Sequence, residues 1–247
     1  LHYPLRRQRQ MCIRDSEKEA LEFLRKEVGD DYVPWHLERT FRLMNQKEIE
    51  CIRRLIRKFT EMIPADFSPK QKAALLFEIL VKRGTYVDEE NENRFVYVSA
   101  LITGNSVCMG FSELYCILCY SLGIECSIVI GFAWNKGLTE DAGLHAWNIV
   151  TLPESEKNGN VTLKQYHVDV TWSLGKSCEN SYFLKSDQFM EEHSHLWNKK
   201  DYKCSEDNRE TINIKKKEVE RICRILEKAT ACLLYTSPSP RDKRQSR

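Results

Sequence analysis

Absences narrow the reading first. The chain of 247 residues holds no unbroken apolar run long enough to cross a bilayer. Its longest apolar stretch, 116–134, is interrupted by Gly123 and Glu125 and changes period partway. Ten cysteines are too sparse for a disulfide scaffold. No internal repeat is visible. Charge of one sign is also scarce, with a net of only +2, and that small excess sits at the ends. Residues 1–16 carry four Arg against Asp15, and 233–247 carry three Arg and Lys243 against Asp242. The interior, 17–232, is therefore at −4. Neither a nucleic acid nor a membrane is an expected partner.

What is present suits a packed domain. Hydrophobic residues make up 42% and aromatics 10%, enough to bury a core and to exclude disorder, collagen and coiled coil. The strings MCIRDS at 11–16 and LLYTSPSPRD at 233–242 resemble translated sequencing-library adapter. Residues 1–16 and 233–247 are therefore read as non-native tails and kept out of the fold argument. Cys51, Cys116, Cys119 and Cys223 fall in helical apolar patterns and Cys126 in a strand pattern, as small buried hydrophobes do. Unpaired thiols point to a reducing, cytoplasmic compartment.

Period and punctuation place the elements. A short charged helix is expected from 16 or 17 to 28, stopped at Gly29. Asn45 with Glu48 forms a capping pattern for a helix over 46–63, where Ile49, Ile52, Ile56, Phe59 and Ile63 make one stripe, ended by Pro64. Ser68 and Pro69 open another, to about Lys82, with Leu75, Leu76, Ile79 and Leu80 inward. Residues 88–94 (DEENENR) read as a solvated loop and 95–102 as a helix, broken at Gly104-Asn105. Residues 106–122 are apolar almost all round, the mark of a buried helix. Strands are expected at 125–132, 145–152 and 161–170, with a loop over 133–144 and a polar turn over 153–160. A last helix covers 215–232, with Val219, Ile222, Leu226 and Ala229 on one side. Helices followed by antiparallel strands argue for the α+β class.

One cysteine stands apart. Cys108 falls at the start of the buried helix, where free backbone N–H groups and the positive dipole end favour a thiolate. A thiolate attacks carbonyl carbon, and it needs a base from elsewhere in the chain. Gly110 and Ser112 would let a substrate chain come close. Strand alternation puts His145, Trp147 and Ile149 on one face, and Gln165, His167 and Asp169 on one face of the next strand. A His and an Asp on neighbouring strands can hydrogen-bond, and the carboxylate would then set the imidazole tautomer. An isolated histidine is more often a packed core residue; the spacing is what raises His145 above that.

The strings GNSVCMGFSELYCILCYSLGIECSIVIG, HAWNIV and YHVDVTW resemble the core of the transglutaminase-like superfamily, over about 68–193. YFLKSDQFMEEH at 182–193 resembles the trailing segment of bacterial members. The resemblance implies a single-domain member with a papain-like fold and a catalytic Cys–His–Asp triad in this chain order. It makes Cys108 the nucleophile, His145 the acid/base and Asp169 the orienting carboxylate. His145 is preferred to His167 because HAWN matches the family string.

The implied activity is that of a hydrolase or acyltransferase on amide bonds of proteins or peptides. It would run through a thioester, resolved by water as in a cysteine peptidase or by an amine as in a transglutaminase. The backbone N–H of Cys108 is one expected oxyanion donor; Asn105, Tyr97 and Trp147 are candidates for the second or for the cleft wall. No cofactor or metal is expected. The calcium sites and extra β-domains of large animal members have no room here.

Competing readings differ in class. The fold could serve as a catalytically silent binding or assembly module, which the intact set of three residues argues against. A cell-wall peptidase or amidase would be favoured by a signal peptide upstream. Cys116 and Cys119 form a C-x-x-C without a second pair, and His193, His195, Cys178 and Cys204 are spaced loosely for a metal. Trp172 reads as core or cleft wall, and Glu191 and Glu192 as surface charges. The expected organisation is a helical region at 17–64, a catalytic core at 65–203 and a helical segment at 204–232.

Overall fold

A computed structural model describes residues 46–87, 97–134, 142–155, 159–176, 181–200, 202–208 and 210–236. The expected helix near 16–28, the 88–94 loop, Cys178 and residues 1–16 lie outside them. Among the described residues no helix is long and apolar enough to cross a membrane.

Among the described residues the helices expected from the apolar period form where it places them. Helices α1 (Gln46–Glu61) and α2 (Pro69–Arg83) open the described chain. Ser68 caps α2 in full: its hydroxyl accepts from the Gln71 N–H, and the Gln71 side chain accepts from the Ser68 N–H. A short parallel pair, β1 (Thr85–Tyr86) with β2 (Asn105–Ser106), brackets α3 (Tyr97–Thr103). Gly104 makes the turn into β2 at φ 78°, with the Arg83 carbonyl where a side chain would stand. Helix α4 (Cys108–Ser121) follows at once.

Five antiparallel strands form the sheet: β3 (Glu125–Ala133), β4 (Gly143–Ser155), β5 (Val161–Val168), β6 (Phe183–Lys185) and β7 (His195–Trp197). Their order is β6-β5-β4-β3-β7. Helices α5 (Asp187–Glu192) and α6 (Lys216–Thr236) complete the fold. Mixed helices and an antiparallel sheet make the class α+β.

Alternation sorts the sheet into two faces. Cys126, Ile128, Ala146, Val150, Leu152 and Tyr166 join the main core with Leu75, Leu76, Phe111, Leu114, Tyr115 and Leu118. Ile52, Leu55 and Phe59 of α1 belong to the same cluster. Val129, Trp147, Ile149, Met190, Trp197 and Cys204 form a second cluster on the other face. Helix α4 thus lies against one face of β4, while His145 and Trp147 project from the opposite one.

Three expectations need correction. The hairpin strands reach Ala133 and Gly143, so both ends of the expected 133–144 loop are ladder, with Phe132 paired to Leu144 and Ala133 to Gly143. Strand β5 ends at Val168, not at 170. The Asp169 N–H leaves the ladder to donate to the Tyr182 carbonyl at 2.8 Å, and the chain bends into a 3-10 turn, Thr171–Ser173. Asp169 thus lies one residue past the strand end, and its side chain still meets His145 on the side of the sheet where Trp147 meets His167. The final helix also runs past 232, to Thr236.

Candidate active site

Two buried polar residues dock α4 on the sheet. The Ser112 hydroxyl donates to the Ala146 carbonyl at 2.9 Å, and the Asn148 amide donates back to the Ser112 carbonyl at 3.0 Å. Both side chains are buried. Ser112 is therefore a tie between helix and strand, not the open approach expected from its small size. These bonds flank the Ala146–Asn148 segment, so they set the height of the helix start against His145.

Cys108 is the first residue of α4 and is partly exposed. The N-cap is Val107, whose side chain makes no capping hydrogen bond. A capping residue normally takes up first-turn N–H groups; Val107 has no side-chain acceptor with which to do so.

His145 Nε2 lies 2.6 Å from Asp169 Oδ2, and the Cys108 thiol is near enough to the ring to raise its pKa. With Nε2 turned to the carboxylate, Nδ1 is the nitrogen left for sulfur. Burial disfavours charge on this ring, but Asp169 and then Cys108 outweigh it and carry the His145 pKa up to about 10. Asp169 is fully buried. Burial opposes its charge as well, yet His145 and His195 hold it well below the usual carboxylate range. Its other oxygen, Oδ1, accepts the Trp172 N–H at 3.0 Å. The Ser173 hydroxyl donates to its backbone carbonyl at 2.6 Å and in turn accepts the Tyr182 N–H at 2.9 Å, which locks the turn.

The other sequence candidates go elsewhere. Trp147 donates its single indole N–H to His167 Nδ1 at 2.9 Å, so it has none for an oxyanion. It is a wall: its ring stacks 5.7 Å from that of His145, tilted by 23°. Tyr97 is buried in the main core, its N–H on the Glu113 carboxylate at 3.2 Å. Asn105 is exposed in β2. His167 does not approach as a rival base; its Nε2 meets Asp187 Oδ1 at 2.9 Å, and Asp187 Oδ2 accepts the Cys204 N–H at 3.2 Å.

Of the residues weighed for a metal, His193 caps α5 with Nδ1 on the Phe189 carbonyl, 2.8 Å away. His195 joins Asp169, while Cys204 joins Asp187. Cys116 and Cys119 are buried in α4, and the Cys116 thiol donates to the Cys126 carbonyl.

Two groups bring three possible ligand atoms within 4.8 Å: His145, Asp169 and His195, and His167, Asp187 and Cys204. In the second, Nδ1 of His167 accepts from Trp147, so Nε2 keeps the proton and donates to Asp187. A metal beside Asp187 would need a bare Nε2, which a neutral ring whose Nδ1 accepts from Trp147 does not offer. The group fits a hydrogen-bonded relay and not a metal centre. Burial pushes the Cys204 thiol far up, and Asp187 adds to it.

Residues 54–162 match the family model of the transglutaminase-like superfamily. The match covers 109 of the 247 residues, and over that stretch the chain is similar to a transglutaminase-like core. Cys108 and His145 fall within the match, whereas Asp169 and His195 lie beyond its end. One solved structure, a cysteine-protease candidate from Cytophaga hutchinsonii, is similar to this chain at 13% identity with a TM-score of 0.38. That match covers 52% of this chain and 43% of the other, so the chain spans less than half of that relative's length. No curated protein matches it.

Proposed function

We propose that the chain is a cysteine-nucleophile enzyme that cleaves or transfers amide bonds of proteins or peptides through a thioester. One observation carries the reading: an imidazole 2.6 Å from a buried carboxylate lies within electrostatic reach of a partly exposed thiol at a helix start without a side-chain cap. The reading joins three groups spread over 61 positions of sequence into one relay. Residues 65–203 form the catalytic core in this reading, flanked by helical segments at 17–64 and 204–232.

The steps follow from the groups. The Cys108 proton passes to His145, and sulfur attacks the amide carbonyl carbon. The helix-start N–H of Cys108 donates to the oxyanion. The C–N bond breaks as the imidazolium gives its proton to the leaving amine. Water then attacks the thioester carbon, His145 takes its proton, and the C–S bond breaks to release a carboxylic acid. A primary amine in place of water leaves a new amide. Asp169 stabilises the imidazolium throughout.

The test is alkylation of Cys108 by iodoacetamide across pH, resolved by peptide mass, in the wild type and in His145→Ala. Fast reaction near neutral pH, lost in the variant, supports the pair; a wild-type rate no greater than that of an ordinary thiol overturns it. Incubation with a peptide library, with and without a primary amine, then separates hydrolysis from transfer by product mass.

A further inference from the structure

Asp169 serves two imidazoles. Its Oδ2 lies 2.6 Å from His145 Nε2 and 3.1 Å from His195 Nε2. His195 comes from β7, which pairs with β3 at Ala133 on the far side of β4. The ring is buried, and its other nitrogen, Nδ1, lies 2.9 Å from the His193 carbonyl. Ser194, between the two histidines, sits at φ 66° in the left-handed region, which few residues other than glycine adopt. The backbone thus accepts strain at the residue that aims the His195 ring.

Both neighbours of this ring accept hydrogen bonds. The protonated ring would satisfy both. Burial, the largest influence, works against that form and lowers the His195 pKa. In the neutral ring one proton must choose between a carbonyl and a carboxylate. A bond to an ionised acceptor is roughly twice as strong. Nε2 therefore carries a proton toward Asp169 in either state.

We propose that His195 is a positioning residue for the Cys108–His145 pair: by donating a second hydrogen bond to Asp169 Oδ2, it sets how firmly that carboxylate holds the proton of His145. The inference rests on the function proposed above. An oxygen that accepts from two N–H groups offers less charge to each. Without His195, the carboxylate belongs to His145 alone, and the imidazolium survives to higher pH. Loss of any positive charge on His195, whose ring centroid is 5.6 Å from that of His145, acts in the same direction.

Among the described residues, Asp169 and His145 are the titrating groups that face His195 directly, and His167 lies within electrostatic reach. Tyr182 packs 5.4 Å away, with Lys176 5.1 Å over its ring, and Trp147 and Trp172 close the remaining sides without charge. His193 turns its Nδ1 to the Phe189 carbonyl.

The experiment uses iodoacetate on the full chain. This anionic reagent is drawn to a thiolate beside an imidazolium, so its rate at Cys108 falls when His145 loses its proton. The wild type, His195→Leu and His195→Gln are compared, each shown folded by circular dichroism, with Cys108 followed by peptide mass. The alkaline limit is expected to move up by about one pH unit in His195→Leu. In His195→Gln, whose amide still donates, it should stay close to the wild-type value. A limit in His195→Leu that stays put or falls overturns the proposal, while a wild type with no enhanced rate at any pH overturns the function itself. If His195→Leu does not fold, ¹⁵N NMR of the wild-type imidazoles decides: a proton on His195 Nε2 is expected, and a bare Nε2 between pH 6 and 8 refutes the shared carboxylate.

Discussion

The indole N–H of Trp147 points into Nδ1 of His167 at 2.9 Å, and this one bond separates the two histidine clusters of the sheet face. It makes His167 a donor toward Asp187 and leaves His145, two positions before Trp147, to face the thiol. Trp147 is wholly buried between them. Its ring is the shared wall: 5.7 Å from His145 on one side and 6.3 Å from His167 on the other.

Replacing His167 should therefore act at a distance. His167→Leu fills much of the space but leaves the buried Trp147 N–H without its acceptor, at a cost of about 2 kcal/mol. The melting temperature should fall by roughly 4–8 °C for a domain of this size. Calorimetry measures it; an unchanged melting point would show that the bond contributes nothing to stability.

Added zinc should leave the folded chain unmoved. His167 keeps its Nε2 proton on Asp187 because Nδ1 is taken. Differential scanning fluorimetry with a tenfold excess of zinc, and again with a chelator, should give the same midpoint as the untreated chain. A midpoint raised by zinc and restored by the chelator would mean that Trp147 gives up its bond to a metal.

Gly131 has no room for a side chain. A Cβ there would fall 2.6 Å from the Trp147 ring edge and nearer still to the Leu196 carbonyl. Because Gly131 is paired with both His145 and Trp197, the clash falls between β4 and β7. Gly131→Ala should destabilise the fold by about 1–3 kcal/mol, as overpacking does. It should also slow Cys108 alkylation by shifting the His145 wall. Denaturant midpoints and the alkylation rate check the two parts separately.

Stability should depend on pH in a direction set by the buried pair. The His145 pKa is raised from its ordinary 6.5 to about 10, so the stability it contributes is fully present below 6.5 and is lost as pH rises through 10. Asp169 is lowered, so its contribution is present above about 4 and is lost as pH falls below that. Glu113 is raised to about 7 by burial, despite the Tyr97 N–H that opposes the shift. Its contribution is present below about 4.5 and fades as pH rises through 7. Asp169→Asn removes the charge that holds the His145 proton. The wild type should lose stability from pH 8 to 10 more steeply than this variant, and thermal melts across that range would show equal slopes if the pair were not coupled.

Much of this fold was legible from local pattern. The stripe of α1, the Ser68-Pro69 start of α2, the all-round apolar α4 and the hairpin strands all follow from period and punctuation. Cys108, His145 and Asp169 were drawn together for a different reason: three separated strings resemble one family in one order, and of these residues the structure brings His145 within 2.6 Å of Asp169. The docking bonds of Ser112 and Asn148 were not. A serine and an asparagine in apolar segments give no local sign of which carbonyl they will meet.

His195 marks the limit most clearly. Its strand is three residues long, too short to carry a readable alternation, and it lies beyond the family match. By itself the chain determined which faces of its helices and strands are apolar, because side-chain direction follows a fixed local period. Only the tertiary structure decided that β7 returns beside β3 and that a second imidazole reaches Asp169. Such a meeting depends on which strands pair and in what register, and that is settled by packing across the whole sheet.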